Sequence, residues 1–217
     1  MTLRLVPRAQ YVASDIDPLN LQVLEALSSD RPYMRSEYCK VTDLASFPRV
    51  PAGYDTVLCL NVLEHVDADG VALANLRSVL VDGGTAIVQV PHGQWNYSGL
   101  DRFLGRRRRY SKKSLQQLAE DAGFSVRHIF EFNRIGTVAW FLSGKMLRRH
   151  SFDHLPMWLF DRFTPFFRAI DVVWPLPGLS LIAVLERREG VGQSSRASSG
   201  SDYAAASLMS AGAASAD

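Results

Sequence analysis

The sequences YDTVLCLNVLEHV at residues 54–66 and VLVDGGTAIVQVP at residues 79–91 carry the strongest structural signal in this chain. Each contains a nearly continuous apolar run, Tyr54–Leu60 and Thr85–Val90, of the kind that is buried on both faces of a parallel sheet. The segment between them, Gly70–Leu80, has leucines at helical spacing. Two strands joined by a helix predict a parallel α/β unit.

The same alternation of strands and helices continues on both sides of this unit. A predicted turn, Asp82–Gly84, leads into the second of the two strands, and Ser111 and Gly123 mark the start and stop of a further helix. The remaining predicted elements are the strand Gln10–Ile16, the helix Leu19–Ser28, a short strand around Tyr38–Val41, and the strands Ser125–Phe132 and Leu179–Leu185. The predicted fold class is therefore α/β with a mostly parallel sheet.

The last two predicted strands are separated by an unusual insertion. Residues 133–178 are rich in aromatic side chains interleaved with arginine and lysine, and we expect them to form a helical segment between neighbouring strands. Residues 190–217 contain mainly Ser, Ala and Gly, which cannot bury enough apolar surface to offset the entropy of ordering. We predict one domain over residues 1–189, including the insertion, followed by a disordered tail.

Bulk composition points to an ordinary globular protein. A formal charge of +2 over 217 residues gives no basis for a nucleic-acid partner. Cys39 and Cys59 lack metal-ligand spacing, and we expect buried or reduced thiols, which favours a reducing compartment. The first ten residues do not resemble a secretory signal, and no stretch reaches the roughly 20 apolar residues of a membrane span. The expected location is the cytoplasm, with peripheral contact at the inner membrane face left open.

Four motifs in order are similar to those of class I S-adenosylmethionine-dependent methyltransferases. They are ASDIDP at 13–18, NVLEHV at 61–66, GGTAIVQVP at 83–91 and RRYSKKSLQQLAEDAGF at 108–124. The resemblance implies a Rossmann-like sheet and S-adenosylmethionine as cofactor. It also implies that Asp15 binds the ribose hydroxyls, because an ionised carboxylate only accepts hydrogen bonds.

The resemblance assigns four more positions to the cofactor. Ile16 would pack on the adenine, Asp43 would bind the adenine amino group, and Leu44 would offer its backbone amide. Asn61 would lie near the methionine part.

One feature of the family is missing from the printed sequence. Members carry a glycine-rich loop before the second strand of the sheet, whereas no glycine precedes Gln10 here. We expect that about 40 residues, enough for a strand, a loop and most of a helix, precede Met1 in the natural protein. The alternative is a relative that has lost the loop.

Two histidines are candidate catalytic bases. His65 and His92 follow strands at the edge where open α/β sheets bind ligands. Each has a structural alternative, His65 as a residue packed beneath the next helix. Glu64-His65 also resembles part of a metal-binding cluster in quinone-pathway O-methyltransferases, but Asn61 stands where a carboxylate would be needed, so we predict no metal.

Substrate contacts are predicted from the arginine run and the insertion. Within Arg106–Arg109, the pair Arg109-Tyr110 matches the family segment, so Arg109 is a candidate acceptor-binding residue and Tyr110 a candidate catalytic residue; a solvated basic surface is the alternative. Trp140 is a candidate substrate contact in the insertion. Aromatic residues flanked by basic ones suit a headgroup boundary, so peripheral membrane contact through 135–174 and a helical cap are both open.

The leading functional hypothesis is methyl transfer to the oxygen or carbon of a small-molecule or lipid-linked acceptor. The alternative is a non-catalytic methyltransferase-like binding module. A nucleic-acid methyltransferase ranks last, because neither a strongly basic face nor a base-flipping motif is present.

Overall fold

A computed structural model of the chain describes residues 8–141 and 176–188. Six strands and five α-helices alternate through these residues. The strands are β1 (Tyr11–Asp15), β2 (Met34–Tyr38), β3 (Tyr54–Leu60), β4 (Leu80–Pro91), β5 (Phe124–Phe132) and β6 (Ser180–Arg187). The helices are α1 (Pro18–Ser28), α2 (Asp69–Val79), α3 (Gly99–Phe103), α4 (Lys112–Asp121) and α5 (Arg134–Phe141). The mixed α/β class predicted from the sequence is confirmed.

The strands form two sheets. β1 and β2 pair in parallel, and the larger sheet has the order β3-β4-β6-β5. β3 and β4 are parallel, while β6 runs antiparallel to both of its neighbours. The strands β3, β4 and β5 therefore run in one direction, so the sheet is mostly parallel and its ligand-facing edge lies beyond Leu60 and Pro91.

The core lies on one face of the larger sheet. Alternate residues of β4, Ala86, Val88 and Val90, are fully buried, as the two-residue period of a strand requires. Leu73 of α2 and Leu115 of α4 are also fully buried in this cluster. Their helices cover the face because their leucines recur at helical spacing.

The smaller sheet is less covered. Helix α1 starts at the cap residue Asp17, whose carboxylate accepts a hydrogen bond from the Leu19 N–H, but it has no buried residue. Leu19 and Val23 are 69% and 59% exposed. In the part of the chain that the structure describes, β1 pairs only with β2, and β3 only with β4. The additional strand expected from the family resemblance stays a prediction.

Two predicted boundaries are wrong. The second strand is Met34–Tyr38 rather than the segment around Tyr38–Val41, since the more polar sequence MRSEY pairs with β1. The predicted turn Asp82–Gly84 is instead part of β4, where the register shifts between Tyr54 and Thr56 of β3. Gly83 has φ = 74°, a left-handed conformation that glycine adopts readily. The segment therefore forms a bulge-like irregularity within β4 in place of the predicted turn.

Most of the remaining predictions of local structure are confirmed. Ser111 caps α4 through a hydrogen bond from the Ser114 N–H, and Gly123 follows its end with φ = 85°. β5 and β6 are neighbours, as predicted for the strands that flank the insertion. Both cysteines are free, and Cys59 is buried. Residues 142–175 of the insertion and the tail from 190 lie outside the described residues, so those predictions remain open.

None of the helices within the described ranges has the length and apolar character that a membrane crossing requires.

The packing of α4 predicts a large effect for one substitution. Leu115 is fully buried, so Leu115→Ala should lower the free energy of unfolding by about 2–5 kcal/mol through lost burial and the cavity left behind. The exposed neighbour Lys113 supplies the control, because Lys113→Ala should stay within about 0.5 kcal/mol of wild type. Urea unfolding measures both, and a Leu115→Ala value as small as that of Lys113→Ala would contradict the assigned core.

Candidate active site at the carboxyl edge of the sheets

Asp15 ends β1, as the sequence predicts. Its carboxylate accepts hydrogen bonds from the Asp17 N–H at 2.9 Å and from the Asn20 side-chain amide at 3.1 Å. Each oxygen keeps a lone pair for a further donor. The side chain of Ile16 beside it is 55% exposed, which leaves apolar surface next to the carboxylate.

Asp43 lies in a loop rather than directly after a strand, because β2 ends five residues earlier. It caps the short 3-10 turn Leu44–Ser46, and its Oδ1 accepts a hydrogen bond from the Ala45 N–H at 3.1 Å. Leu44 is 48% exposed.

Cys39 brings the Asp15 and Asp43 segments together. Its backbone N–H donates to the Asp15 carbonyl at 3.2 Å. Burial, as the largest cause, raises the pKa of its thiol, and the nearby Asp43 charge raises it further, although hydrogen bonds with Ser46 and Ser14 act in the opposite direction. Acceptor-only carboxylates beside exposed aliphatic side chains suit a nucleoside, whose hydroxyls donate hydrogen bonds and whose base is apolar on its faces.

Asn61 follows β3 with a positive φ of 55°. Its N–H donates to the Gln89 carbonyl at 2.9 Å, which extends the β3–β4 ladder by one residue. Asparagine tolerates this left-handed conformation better than most residues. The chain therefore turns away from the sheet at Asn61.

The ring of His92 is held at the carboxyl end of β4. Its Nδ1 lies 2.9 Å from the Gly178 carbonyl oxygen, and its backbone N–H donates to the Leu179 carbonyl at 2.8 Å. Because a carbonyl oxygen only accepts, Nδ1 carries the proton, and in the neutral ring Nε2 is the proton acceptor.

His65 is held in the same way by another glycine. Its Nδ1 lies 3.0 Å from the Gly105 carbonyl oxygen, which assigns the proton to Nδ1. Its Nε2 is 3.9 Å from Glu64 Oε1, and its side chain is 39% exposed. Both candidate bases thus have the tautomer that leaves Nε2 unprotonated.

The arginine run is paired with acidic side chains. Arg109 donates to Asp101 from Nε at 3.0 Å and from Nη2 at 3.1 Å, and both side chains are fully buried. Arg108 pairs with Asp69 at 2.9 Å, and Arg107 pairs with Asp67. The pairs of Arg107 and Arg108 tie the loop between α3 and α4 to the segment that follows β3, and the pair of Arg109 ties it to α3. Each of these three arginines already has an acidic partner.

Tyr110 is a buried part of this connection. Its hydroxyl donates to Asp69 Oδ2 at 2.8 Å and lies 3.2 Å from the Leu63 carbonyl oxygen. Burial raises the pKa of Tyr110, and its hydrogen bond to the Asp69 carboxylate raises it further, so the phenol keeps its proton. This geometry favours a structural role, and the predicted catalytic role remains untested.

Trp140 lies against two of the arginines. The guanidinium carbons of Arg106 and Arg109 lie over its ring, 5.1 and 4.9 Å from the centroid. Such cation–π contacts hold α5 on the arginine loop. Arg109 and Trp140, both predicted substrate contacts, are therefore neighbours, although Arg109 is already bound to Asp101.

Glu64 is a site residue that sequence reasoning considered only as a metal ligand. Its side chain is fully buried, and neither carboxylate oxygen has a hydrogen-bond partner among the described residues. Arg106 Nε lies 3.6 Å from Oε1. Burial raises the pKa of Glu64 despite the opposing charges of Arg106, His65 and Arg109. No sequence signal indicated this burial, since Glu64 is a charged residue in the short 3-10 turn Leu63–His65.

No three side chains of His, Cys, Asp or Glu within residues 8–141 and 176–188 converge as a metal site would require.

The fold is α/β, and the candidate ligand-binding residues lie at the carboxyl ends of its strands. The sequence model of a methyltransferase domain family matches residues 1–86. No curated protein matches the chain.

Solved structures similar to this chain are methyltransferase-related proteins. The partner protein of the Haloferax volcanii Trm112 methyltransferase activator, solved as a complex, is 14% identical over 88% of this chain and 77% of that chain, with a TM-score of 0.60. An S-adenosylmethionine-dependent methyltransferase from Mesorhizobium loti is 12% identical over 82% and 81%, with a TM-score of 0.52. An O-methyltransferase family protein from Burkholderia thailandensis is 11% identical over 87% and 46%, with a TM-score of 0.55.

Residues 1–86 match this methyltransferase domain family, and the described fold is shared with solved methyltransferase structures. The match implies S-adenosylmethionine as methyl donor. The carboxylate and aliphatic surfaces around Asp15 and Ile16 fit its adenosine part.

The burial of Glu64 predicts a pH dependence of stability. Its folded-state pKa is raised above 4.5, so the unfolded state ionises first as pH rises from 4.5, and the free energy of unfolding falls through this interval. The glutamine of Glu64→Gln cannot ionise, so the free energy of unfolding of this variant should not show that decrease with pH. Urea unfolding at a series of pH values compares Glu64→Gln with wild type, and Glu25→Gln on exposed α1 is the matched control. Curves for Glu64→Gln and wild type that stay parallel from pH 4.5 to 7 would contradict the assignment.

Proposed function

We propose that this methyltransferase acts on the oxygen or carbon of a small-molecule or lipid-linked acceptor. The observation that carries the proposal is the contact of His92 Nδ1 with the Gly178 carbonyl oxygen at 2.9 Å, from which we assign the ring proton to Nδ1. Nε2 of His92, at the carboxyl end of β4, would then take the proton of a weakly acidic hydroxyl group. His65 is the second candidate base, with an equivalent contact to Gly105 at 3.0 Å.

The proposed cofactor site lies at the ends of β1, β2 and β3. Asp15 and Asp43 would bind the ribose hydroxyls and the adenine amino group, Ile16 and Leu44 would contact the adenine, and Asn61 would approach the methionine part. S-adenosylmethionine supplies a methyl group on a sulfonium, an excellent leaving group. What the chain adds is alignment of the acceptor and removal of its proton.

The proposed acceptor site lies beside α5. Trp140 is 9% exposed and packs with Arg106 and Arg109, so it supplies an apolar wall backed by positive charge. Arg109 would then position the acceptor indirectly, because it supports Trp140 and His92. Its Nη1 donates a hydrogen bond to the His92 carbonyl at 3.1 Å. Tyr110 would hold the loop in place through Asp69.

Access to a lipid-linked acceptor is supported by exposed apolar residues at the two ends of the insertion. Phe130 and Phe132, at the end of β5, are 46% and 45% exposed, and Leu176 is 38% exposed. The aromatic and basic composition of 135–174 continues this character along the sequence. Apolar side chains beside cationic ones are suited to the boundary of an anionic membrane.

The cofactor assignment predicts the effect of removing one carboxylate. Asp15→Ala should raise the Kd for S-adenosylmethionine by about tenfold or more, because hydrogen bonds to a charged acceptor contribute about 1.5–3 kcal/mol each. Asp55 lies at the opposite end of β3 and pairs with Arg8, so Asp55→Ala should leave the Kd unchanged. Calorimetry on a chain extended upstream of Met1 by its natural sequence measures both, and equal affinities for Asp15→Ala and wild type would show that the site is wrong.

The acceptor class predicts binding to membranes. The chain should co-sediment with vesicles that contain anionic phosphatidylglycerol, and the double variant Phe130→Ser/Phe132→Ser should bind about tenfold more weakly, given the apolar area the two rings would bury. Phe103, 61% exposed on α3, provides the control, and Phe103→Ser should bind like wild type. Absence of vesicle binding by the wild-type chain would count against a membrane-proximal acceptor.

A further inference from the structure

The ring and backbone of His92 are held by three groups from other segments. The Gly178 carbonyl accepts from Nδ1 at 2.9 Å, the Leu179 carbonyl accepts from the backbone N–H at 2.8 Å, and Arg109 Nη1 donates to the His92 carbonyl at 3.1 Å. Only the first of these determines which ring nitrogen carries the proton. The position of the Gly178 carbonyl therefore controls the chemistry that His92 can perform.

Gly178 is itself held by Glu131. The Gly178 N–H donates to Glu131 Oε2 at 2.8 Å. A Cβ on Gly178 would lie 2.8 Å from both the N and the O of Phe132 and 2.9 Å from the Glu131 Cβ. Real Cβ atoms do not approach backbone that closely, so the segment can reach this position only with glycine.

Glu131 has a second partner that keeps it ionised. Its Oε1 lies 2.8 Å from Lys112 Nζ, and its side chain is 17% exposed. Burial alone would raise its pKa, but the hydrogen bonds from Lys112 and Gly178 and the charges of Lys112 and His92 outweigh burial, so the pKa of Glu131 is lowered. An ionised carboxylate thus accepts from the Gly178 N–H, while the carbonyl of the same residue contacts the His92 ring.

The two ends of the insertion meet at this point. The Leu179 N–H donates to the Asn133 carbonyl at 3.1 Å, and the Thr137 hydroxyl donates to the Pro177 carbonyl at 2.8 Å. The first residues of the insertion are therefore joined to the segment at its end, next to the Gly178 and Leu179 carbonyls that contact His92. The hydrogen bond from Gly178 to Glu131 adds a third connection to this junction.

We propose that Glu131 and Gly178 are positioning residues for His92: Glu131 holds the Gly178 peptide, and the Gly178 carbonyl keeps the proton on Nδ1 so that Nε2 receives the proton of the acceptor. The inference rests on the proposed function, in which His92 is the base. When Nε2 takes that proton, the neutral imidazole becomes an imidazolium with a proton on each nitrogen. The Glu131 carboxylate, paired with Lys112 and bonded to the Gly178 N–H, keeps the Gly178 segment in place during this step.

The test measures the His92 tautomer directly, without donor or acceptor. Uniformly 15N-labelled full-length chain is examined by long-range 1H–15N correlation at a pH where histidines are neutral, with His92 assigned from His92→Gln. Wild type should show the Nδ1–H tautomer. Glu131→Ala should shift the tautomer ratio by about fivefold, as expected for the loss of one well-aligned hydrogen bond.

Matched variants separate positioning from a general structural effect. Glu131→Gln keeps an oxygen that accepts from the Gly178 N–H and should retain the wild-type tautomer, whereas Gly178→Ala should shift it as Glu131→Ala does. Lys112→Met removes the other partner of Glu131 and should leave the tautomer unchanged. The signals of His65 and His128, which lie outside this connection, are internal controls for folding.

Three outcomes overturn the inference or its basis. An Nε2–H tautomer in wild type, or an unchanged tautomer in Glu131→Ala with intact His65 and His128 signals, would refute the positioning role while leaving the methyltransferase proposal standing. The expected tautomers in a chain that binds no S-adenosylmethionine by calorimetry, even when extended upstream of Met1 by its natural sequence, would instead refute the proposed function, and the role of His92 as base would fall with it.

Discussion

The antiparallel pairing of β6 with β4 is the constraint on which the arrangement of the site depends. Seven register pairs join the two strands, from Thr85 opposite Glu186 to Pro91 opposite Ser180. Because β6 runs against its neighbour, its first residue lies at the carboxyl end of β4, and the residues just before β6 arrive beside His92. A parallel strand at this place would have brought its last residues there. The direction of β6 in the sheet thus brings the residues after the insertion to the carboxyl end of β4.

The loops beyond that edge are organised by buried charge rather than by apolar packing. Asp101 and Arg109 form a two-point hydrogen-bonded pair with both side chains fully buried, and loss of either would leave an uncompensated charge at a cost of about 3–5 kcal/mol. Trp140 covers this pair, which fixes α5 over it. Glu64 has no comparable hydrogen bond in the described residues, so the same region contains one fully satisfied carboxylate and one unsatisfied one.

The sequence predicts the fold well where periodicity is strong and less well where polar residues form structure. Tyr54–Leu60 is apolar throughout and was predicted to the residue, whereas Met34–Tyr38 forms a strand in spite of its polar sequence because β1 offers an edge to pair with. The positions of candidate residues at or just after strand ends, such as Asp15 and His92, could be predicted because strand ends meet at one edge. The burial of Glu64 and the role of Glu131 could not, since both depend on contacts 40 or more residues away along the chain, with Arg106 and Gly178.

Two glycine carbonyls, those of Gly105 and Gly178, set the proton positions of the two candidate bases. Each glycine has its own steric reason: Gly105 has φ = 70°, and Gly178 lies too close to Phe132 for any side chain. The ionised groups nearby contact backbone and one another, as in the pairs of Glu131 with Gly178 and of Asp101 with Arg109. Methyl transfer from a sulfonium requires alignment more than strong acid–base catalysis. The arrangement at this edge suits that requirement, because its charged groups hold backbone carbonyls in place. The imidazole Nε2 atoms are then left as the proton acceptors. Charged groups aimed at the acceptor would gain little there and would have to be desolvated.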